Sequence, residues 1–265
     1  MPLRVATWNI NSVRLRIDQV ARFVAERGPD VLCLQEIKCR EGEFPVAAFQ
    51  AMGLPHLRIA GQKGWHGVAI ASRLPIEDAP PLNACREGHA RCVSAVVKGV
   101  EIQNFYIPAG GDVPDRALNP KFDHKLDFYE RLTTEFGRRD PKAPLLVAGD
   151  LNVAPGEHDV WSHKQMSRIV SHTPIEVEAM TALQASLGFT DVVRAQTPEP
   201  QKLFSWWSYR ALDFRKSNRG LRLDHLWTSP GLTPAVTPGS ARILDDVREW
   251  ERPSDHAPVV VELAV

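Results

Sequence analysis

No apolar run in the 265 residues approaches the ~18 that a membrane-spanning helix needs, so a helical span is excluded. Cysteine is scarce: Cys33, Cys39, Cys85 and Cys92 are the whole set, and no two form a C-x-x-C pair. Neither a zinc site nor a disulfide framework is indicated. Cys33, inside Val31-Leu32-Cys33-Leu34, reads as a buried thiol. The opening segment Met1-Pro2-Leu3-Arg4-Val5 lacks the basic-then-apolar layout of a secretory signal. The expected setting is therefore reducing, intracellular and cytoplasmic. Net charge is also missing, with 32 basic and 32 acidic residues, so there is no global preference for nucleic acid. Acidic residues gathered at one site would mask a local basic face in that total. There is no repeat, no low-complexity tract and no long Gly/Ser/Pro linker. With 43% apolar and 24% charged residues, a single domain over residues 1–265 is expected.

What the chain does have is a series of short apolar runs, several ending in polar residues. Leu3 to Trp8 leads to Asn9 and Asn11, Val31 to Leu34 leads to Gln35-Glu36, and Leu145 to Ala148 leads to Gly149-Asp150-Leu151-Asn152. These read as buried strands. Further strands are expected at Gly67–Ala71, Cys92–Val97, Glu101–Tyr106, Leu223–Thr228 and Val259–Leu263. Ile17, Val20, Ala21 and Val24 recur at helical spacing, and Gly28-Pro29 closes that helix. Two more helices are predicted over Lys121–Arg139 and Ile175–Leu187. Asp78–Leu82 and Pro108–Pro120 read as surface loops. The fold class is α/β, with sheets inside and helices outside.

The polar residues at the strand ends carry the chemistry. Taken singly, Glu36 is an ordinary loop carboxylate, Asp150 and Asn152 are turn formers, and Asp255 caps a turn before the last strand. Taken together they are costly beside buried strands unless paired or bound to a cation. Oxygen ligands without cysteine or paired histidine suit Mg²⁺ or Mn²⁺. Phosphodiester hydrolysis needs this kind of set: a carboxylate to orient and deprotonate water, and a cation or imidazolium to stabilise the phosphate oxygens. The adjacent Asp255-His256 fits a charged histidine. His56, His66, His89, His124, His158, His163 and His172 lack metal-cluster spacing and read as surface or packing residues. His225 is expected on the face of its strand opposite Asp224. Lys121 and Lys125 read as solvated helix charges.

Six segments occur in order across nearly the whole chain: Thr7-Trp8-Asn9-Ile10-Asn11, Leu34-Gln35-Glu36-Ile37-Lys38, Asn104-Phe105-Tyr106, Gly149-Asp150-Leu151-Asn152, Arg222-Leu223-Asp224-His225 and Ser254-Asp255-His256-Ala257-Pro258. In this the chain resembles the endonuclease/exonuclease/phosphatase superfamily. Asn218-Arg219-Gly220-Leu221-Arg222-Leu223-Asp224 and Phe204-Ser205-Trp206-Trp207-Ser208-Tyr209-Arg210 make it most similar to the exonuclease III group of abasic-site DNA repair enzymes. The resemblance implies two packed β-sheets flanked by helices, a four-layer α/β sandwich. It implies Glu36 as the main metal ligand, with Asn9 and Asp255 near the ion and Asp150 and Asn152 in the same set. Asp150 would position and activate the attacking water, helped by Asn152. His256, paired with Asp224, would contact the phosphate, and Tyr106 would donate to it or assist the leaving group as phenolate.

The substrate is read less directly. By composition alone the Trp206-Trp207 segment is a core pair beside a solvated basic loop. The resemblance reverses that reading: Trp206 and Leu221 would line a pocket for a base-less sugar, with Arg219 and Asn11 at the DNA. The expected partner is duplex DNA carrying an abasic site or a 3′ end, bound by a monomer and with no membrane involved. Ala109-Gly110-Gly111-Asp112 departs from relatives that carry a longer polar side chain there, leaving open the balance between abasic incision and 3′-end trimming. Two alternatives stand beside this reading. One is a hydrolase of a phosphoinositide, sphingomyelin or small nucleotide phosphate; the other is a catalytically inactive binding module on the same scaffold.

Overall fold

Leu3 and Val5 point to one side of the first strand, Ala6 and Trp8 to the other, and all four are buried. A strand apolar on both faces needs a layer on each side. The computed structural model, which describes residues 1–80, 82–211 and 213–265, supplies both. In chain order the strands are β1 (Leu3–Asn9), β2 (Val31–Gln35), β3 (His56–Ala60), β4 (Val68–Ser72), β5 (Cys92–Val97), β6 (Val100–Tyr106), β7 (Leu145–Asp150), β8 (Thr190–Asp191), β9 (Trp206–Trp207), β10 (Gly220–Leu221), β11 (Asp224–Thr228), β12 (Arg242–Ile243) and β13 (Val259–Leu263). The α-helices are α1 (Ile17–Arg27), α2 (Val46–Ala51), α3 (Pro120–Phe136), α4 (His163–Met166), α5 (Pro174–Leu187), α6 (Val192–Gln196) and α7 (Phe214–Ser217).

One sheet runs β12-β13-β1-β2-β4-β3, the other β5-β6-β7-β11-β8, and β9 and β10 form a separate ribbon. The sheets pack face to face through Val5, Val31, Cys33 and Ile70 against Ile102, Leu146, Ala148 and Leu226. Trp8 and Leu34, on the outer face of the first sheet, meet Val20 and Phe23 of α1 and Phe49 of α2. Phe105, Val147 and Trp227 meet Phe128 and Leu132 of α3 and Leu183 of α5. The result is the expected four-layer α/β sandwich. A polar plug crosses its centre, where Gln35 donates to Asn104 (2.6 Å) and Asn104 donates to the carbonyls of Leu34 and Ala69.

The predicted strands and helices are present; Cys92–Val97 and Val259–Leu263 keep their expected bounds, and others shift at an end. α3 stops at Phe136 rather than Arg139, where Gly137 begins the turn. The two-residue strands and the short helices were not predicted, being too short for periodicity to register, and β3, as long as β2, was missed because its half-buried His56-Leu57-Arg58-Ile59-Ala60 run is not an apolar stretch. Pro108–Pro120 is a loop up to Asn119, whose side chain caps α3. The predicted loop Asp78–Leu82 includes Pro81, which lies outside the described residues. No helix among the described residues is long and apolar enough to cross a membrane. Lys121 is exposed as expected, but Lys125 is a correction. It sits on the buried stripe of α3 and pairs with Glu176 of α5, both fully buried.

A second buried ionic group anchors the start of β11. Arg222 holds Asp159 with two parallel bonds, Nε–Oδ1 2.7 Å and Nη2–Oδ2 2.9 Å, and also reaches Asp191 and Arg194 joins Asp159 from outside. Burial pushes the Asp159 carboxyl up, but Arg222 and Arg194 outweigh it and bring the pKa down to about 2. A carboxyl lowered on folding contributes its full stability above its unfolded pKa and loses it as pH falls through about 2. Asp159→Asn is expected to cost about 3 kcal/mol near neutrality. Between the ordinary carboxylate pKa and about 2 the variant should lose stability less steeply than the parent. Urea midpoints across that acid range test this, and equal acid slopes would contradict it.

Candidate active site

Strand register assembles the site. Tyr106 is the register partner of Asp150, and Asp150 of Asp224, so three adjacent strands end in three chemical groups side by side. Each continues a row that faces the other sheet, after Ile102 and Asn104, after Leu146 and Ala148, and before Leu226. Gly149 is required between β6 and β7, because a Cβ there would lie 2.0 Å from the Phe105 carbonyl oxygen. From the opposite sheet, Asn9 ends β1 on the inter-sheet row of Leu3 and Val5. Glu36 follows β2 with a left-handed φ of 50°, which turns the chain sharply after the strand. His225 lies on the other face, as predicted, with Nε2 bonded to the Val153 carbonyl.

The side chains meet in a tight polar group. Asn9 donates from one amide nitrogen to Glu36 Oε1 (3.0 Å) and Asp150 Oδ2 (2.9 Å). Tyr106 donates to Glu36 Oε1 at 2.8 Å, and Lys38 Nζ lies 2.9 Å from Glu36 Oε2. His256 Nδ1 bonds Asp224 Oδ2 at 2.8 Å, leaving Nε2 directed to Asp150 Oδ2 at 3.8 Å. Asp224 is fixed in turn by Ser205, which donates to it at 2.7 Å. The Asn152 backbone donates to Asp150 Oδ1, while its side chain donates to the Ile107 carbonyl. Asp255 stands a little apart, accepting from Asn11 Nδ2 (2.9 Å) and Trp206 Nε1 (3.0 Å).

Burial raises the Asp150 pKa, and the neighbouring carboxylates Asp224 and Glu36 add to this against His256 and Asn9. Burial alone would neutralise His256, yet Asp224 and then Asp150 hold its pKa well up, so it is an imidazolium. Tyr106 is raised by burial, by Glu36 and by Asp150. The Arg91 guanidinium, 4.7 Å over its ring, opposes this without prevailing, so Tyr106 is a donor phenol. Donor atoms of Glu36, Asp150 and His256 all lie within 4.8 Å of one another. Two carboxylates this close repel, and a hard divalent cation would relieve the repulsion; the oxygens of Glu36 and Asp150 fit such an ion, whereas the protonated His256 is not a ligand.

Beside the carboxylates is an apolar wall. Trp206 pairs with Leu221 in the β9–β10 ribbon, and Leu221, Leu223, Val160 and Met166 cluster with the half-buried Trp206 and Trp161. Trp207, by contrast, is a core residue, 3% exposed, so the adjacent tryptophans divide between wall and core. Arg219 lies over the Trp161 ring at 4.7 Å. The predicted residues Asn9, Asn11, Glu36, Tyr106, Asp150, Asn152, Trp206, Asp224, Asp255 and His256 are thus joined by direct contacts, with Leu221 and Arg219 on the wall. Lys38, Arg91, Trp161 and Ser205 were missed as members. Lys38 and Ser205 lie within the segments that carry the resemblance, but their contacts depend on loop conformation that periodicity does not reveal.

A family model described as the Endonuclease/Exonuclease/phosphatase family matches residues 6–256. The chain is 31% identical to exodeoxyribonuclease III of Haemophilus influenzae, over 98% of this chain and 99% of the relative. Among solved structures, an AP endonuclease from Archaeoglobus fulgidus superposes with a TM-score of 0.91 at 31% identity, over 99% of this chain and 100% of that one. The Neisseria 3′ phosphatase NExo, solved bound to a product DNA hairpin, gives 0.89 at 34% identity, over 98% and 99%.

Proposed function

The chain belongs to the endonuclease/exonuclease/phosphatase family, in its exonuclease III group, and from that premise we propose that it is a DNA repair enzyme hydrolysing phosphodiester bonds 5′ to abasic sites and at 3′ ends with Mg²⁺ or Mn²⁺. The observation that carries the reading is the meeting of Glu36, Asp150 and His256 beside Asp224 at the rim of the two sheets. Glu36 and Asp150 would hold the ion, with Asn9, Asn152 and Asp255 around it; bound there, it would neutralise charge on the phosphate oxygens. Asp150 orients the attacking water and takes its proton, a role suited to a carboxylate set between Asn9 and the free nitrogen of His256. The Asn9 amide and the Asn152 N–H, each bonded to one Asp150 oxygen, fix its direction. His256, kept charged by Asp224, offers Nε2 to a non-bridging phosphate oxygen, and Tyr106 offers its hydroxyl to the same phosphate.

The wall of Trp206, Leu221 and Trp161 accounts for the sugar. An abasic deoxyribose has no base to exclude and fits against an apolar surface, with Arg219 and Asn11 toward the backbone. Every group invoked comes from one chain, so a monomer suffices. The exposed Trp65, with Lys38 Nζ 5.4 Å from its ring, extends the basic and aromatic surface beyond the carboxylates.

Glu36→Ala should lower activity at millimolar Mg²⁺ and be partly rescued at higher concentration, read from initial rates across a Mg²⁺ titration. An unchanged metal dependence would count against ligation by Glu36. The affinity for duplex DNA should fall steeply with added salt. A salt-independent affinity would favour a small phosphorylated molecule as substrate.

A further inference from the structure

We infer that Lys125, buried in α3, is a positioning residue for the catalytic loop that follows Asp150. Its ammonium is 0% exposed and has three partners: the Glu176 carboxylate, the Asn152 carbonyl at 2.7 Å and the Ala109 carbonyl at 3.2 Å. Those two carbonyls belong to the two chain segments leaving the site. Asn152 follows Asp150 and stands at a left-handed φ of 56°, a conformation asparagine tolerates better than most residues and which the contacts to its carbonyl and side chain hold in place. Ala109 follows Ile107, whose carbonyl receives the Asn152 side chain. Gly110, next along, is tight against the clamp: a Cβ there would lie 3.0 Å from the Lys125 side chain, and its φ of 93° disfavours any L-residue. Lys125 therefore clamps the two exits together.

Glu176 is as fully committed. It accepts from the backbone nitrogens of Ser171 and Thr173 and from the Thr173 hydroxyl, so it is locked into the first turn of α5. The Ser171 carbonyl in turn receives the Ala154 N–H. One ion pair thus ties α3, α5 and both catalytic exits into a single unit. A buried ion pair is not a cheap source of stability, because apolar replacements of similar size do as well or better. What such replacements cannot do is donate to the Asn152 and Ala109 carbonyls. Position is the product of the pair.

This rests on Asp150 and Asn152 being catalytic, so the parent enzyme is assayed first; an inactive parent overturns that reading alone. Lys125→Met strands the Glu176 charge and should lower Tm. Lys125→Met/Glu176→Met removes both charges and should recover part of that Tm, the remainder staying lost with the partners of the Ser171 and Thr173 donors and of the Asn152 and Ala109 carbonyls. Turnover of the double variant should nonetheless stay down about 10- to 100-fold, with KM for DNA within about twofold, as when a group supporting a ligand is lost. A double variant that regains kcat overturns the inference, as does a loss carried by KM. Lys125→Gln, which keeps a shorter neutral donor, covers the case of a double variant that fails to fold. A fall in its kcat at unchanged KM, measured below its unfolding range, supports positioning; parent-like kcat overturns it.

Discussion

Asp150→Asn is expected to remove about 10³-fold or more of turnover while leaving duplex affinity within a few-fold of the parent. Asp150 is the carboxylate nearest both the Glu36–Asn9 pair and the free nitrogen of His256, and its register partners, Tyr106 and Asp224, are engaged elsewhere. An amide has the same shape but does not accept the proton of water. The same substitution should not cost stability. Burial, Asp224 and Glu36 disfavour the Asp150 charge and outweigh His256 and Asn9, which favour it, so the metal-free fold tolerates a neutral amide there. A Tm at or above the parent, together with lost turnover, separates a chemical defect from a folding defect. A variant with near-parental turnover would remove Asp150 from the mechanism.

The second large effect concerns His256. Replacing it by Asn should reduce turnover about 10²- to 10³-fold, the loss expected for one preorganised charged donor at a developing oxyanion. Asp224 acts through His256: one of its oxygens is taken by His256 Nδ1 and Ser205, and its other oxygen is buried with no partner among the described residues. Asp224→Asn should therefore be costly in the parent and nearly silent in the His256→Asn background. Steady-state rates for the two single variants and the double variant measure this coupling. Additive losses would show that the two residues act separately.

The strand ends carried much of the site in legible form. Asn9, Glu36, Asp150 and Asp224 each adjoin a short apolar run, and period-two alternation puts Asp224 on the inter-sheet face and His225 behind it. The sequence does not display which strands are neighbours. That Tyr106, Asp150 and Asp224 are adjacent depends on β6, β7 and β11 pairing across long separations. Lys125 shows how a residue-by-residue reading goes astray. A lysine on a helix is usually solvated, but this one falls on the stripe of Phe122, Phe128, Leu132 and Phe136, and its partner is 51 residues away on another helix. The stripe was a usable signal; the partner was not. The Asp159–Arg222–Asp191 group was hidden for the same reason, its members being drawn from three separate segments.

The central claim is metal-dependent hydrolysis of DNA at the Glu36–Asp150–His256 group. It is tested most directly by offering the enzyme an end-labelled duplex with one abasic-site analogue, beside an undamaged duplex with a recessed 3′ end, with Mg²⁺, with Mn²⁺ and with EDTA. The account predicts metal-dependent incision 5′ to the lesion and shortening of the recessed end, both abolished by EDTA and by Asp150→Asn. Failure to cut either duplex with either metal, or cutting that survives EDTA, would contradict it.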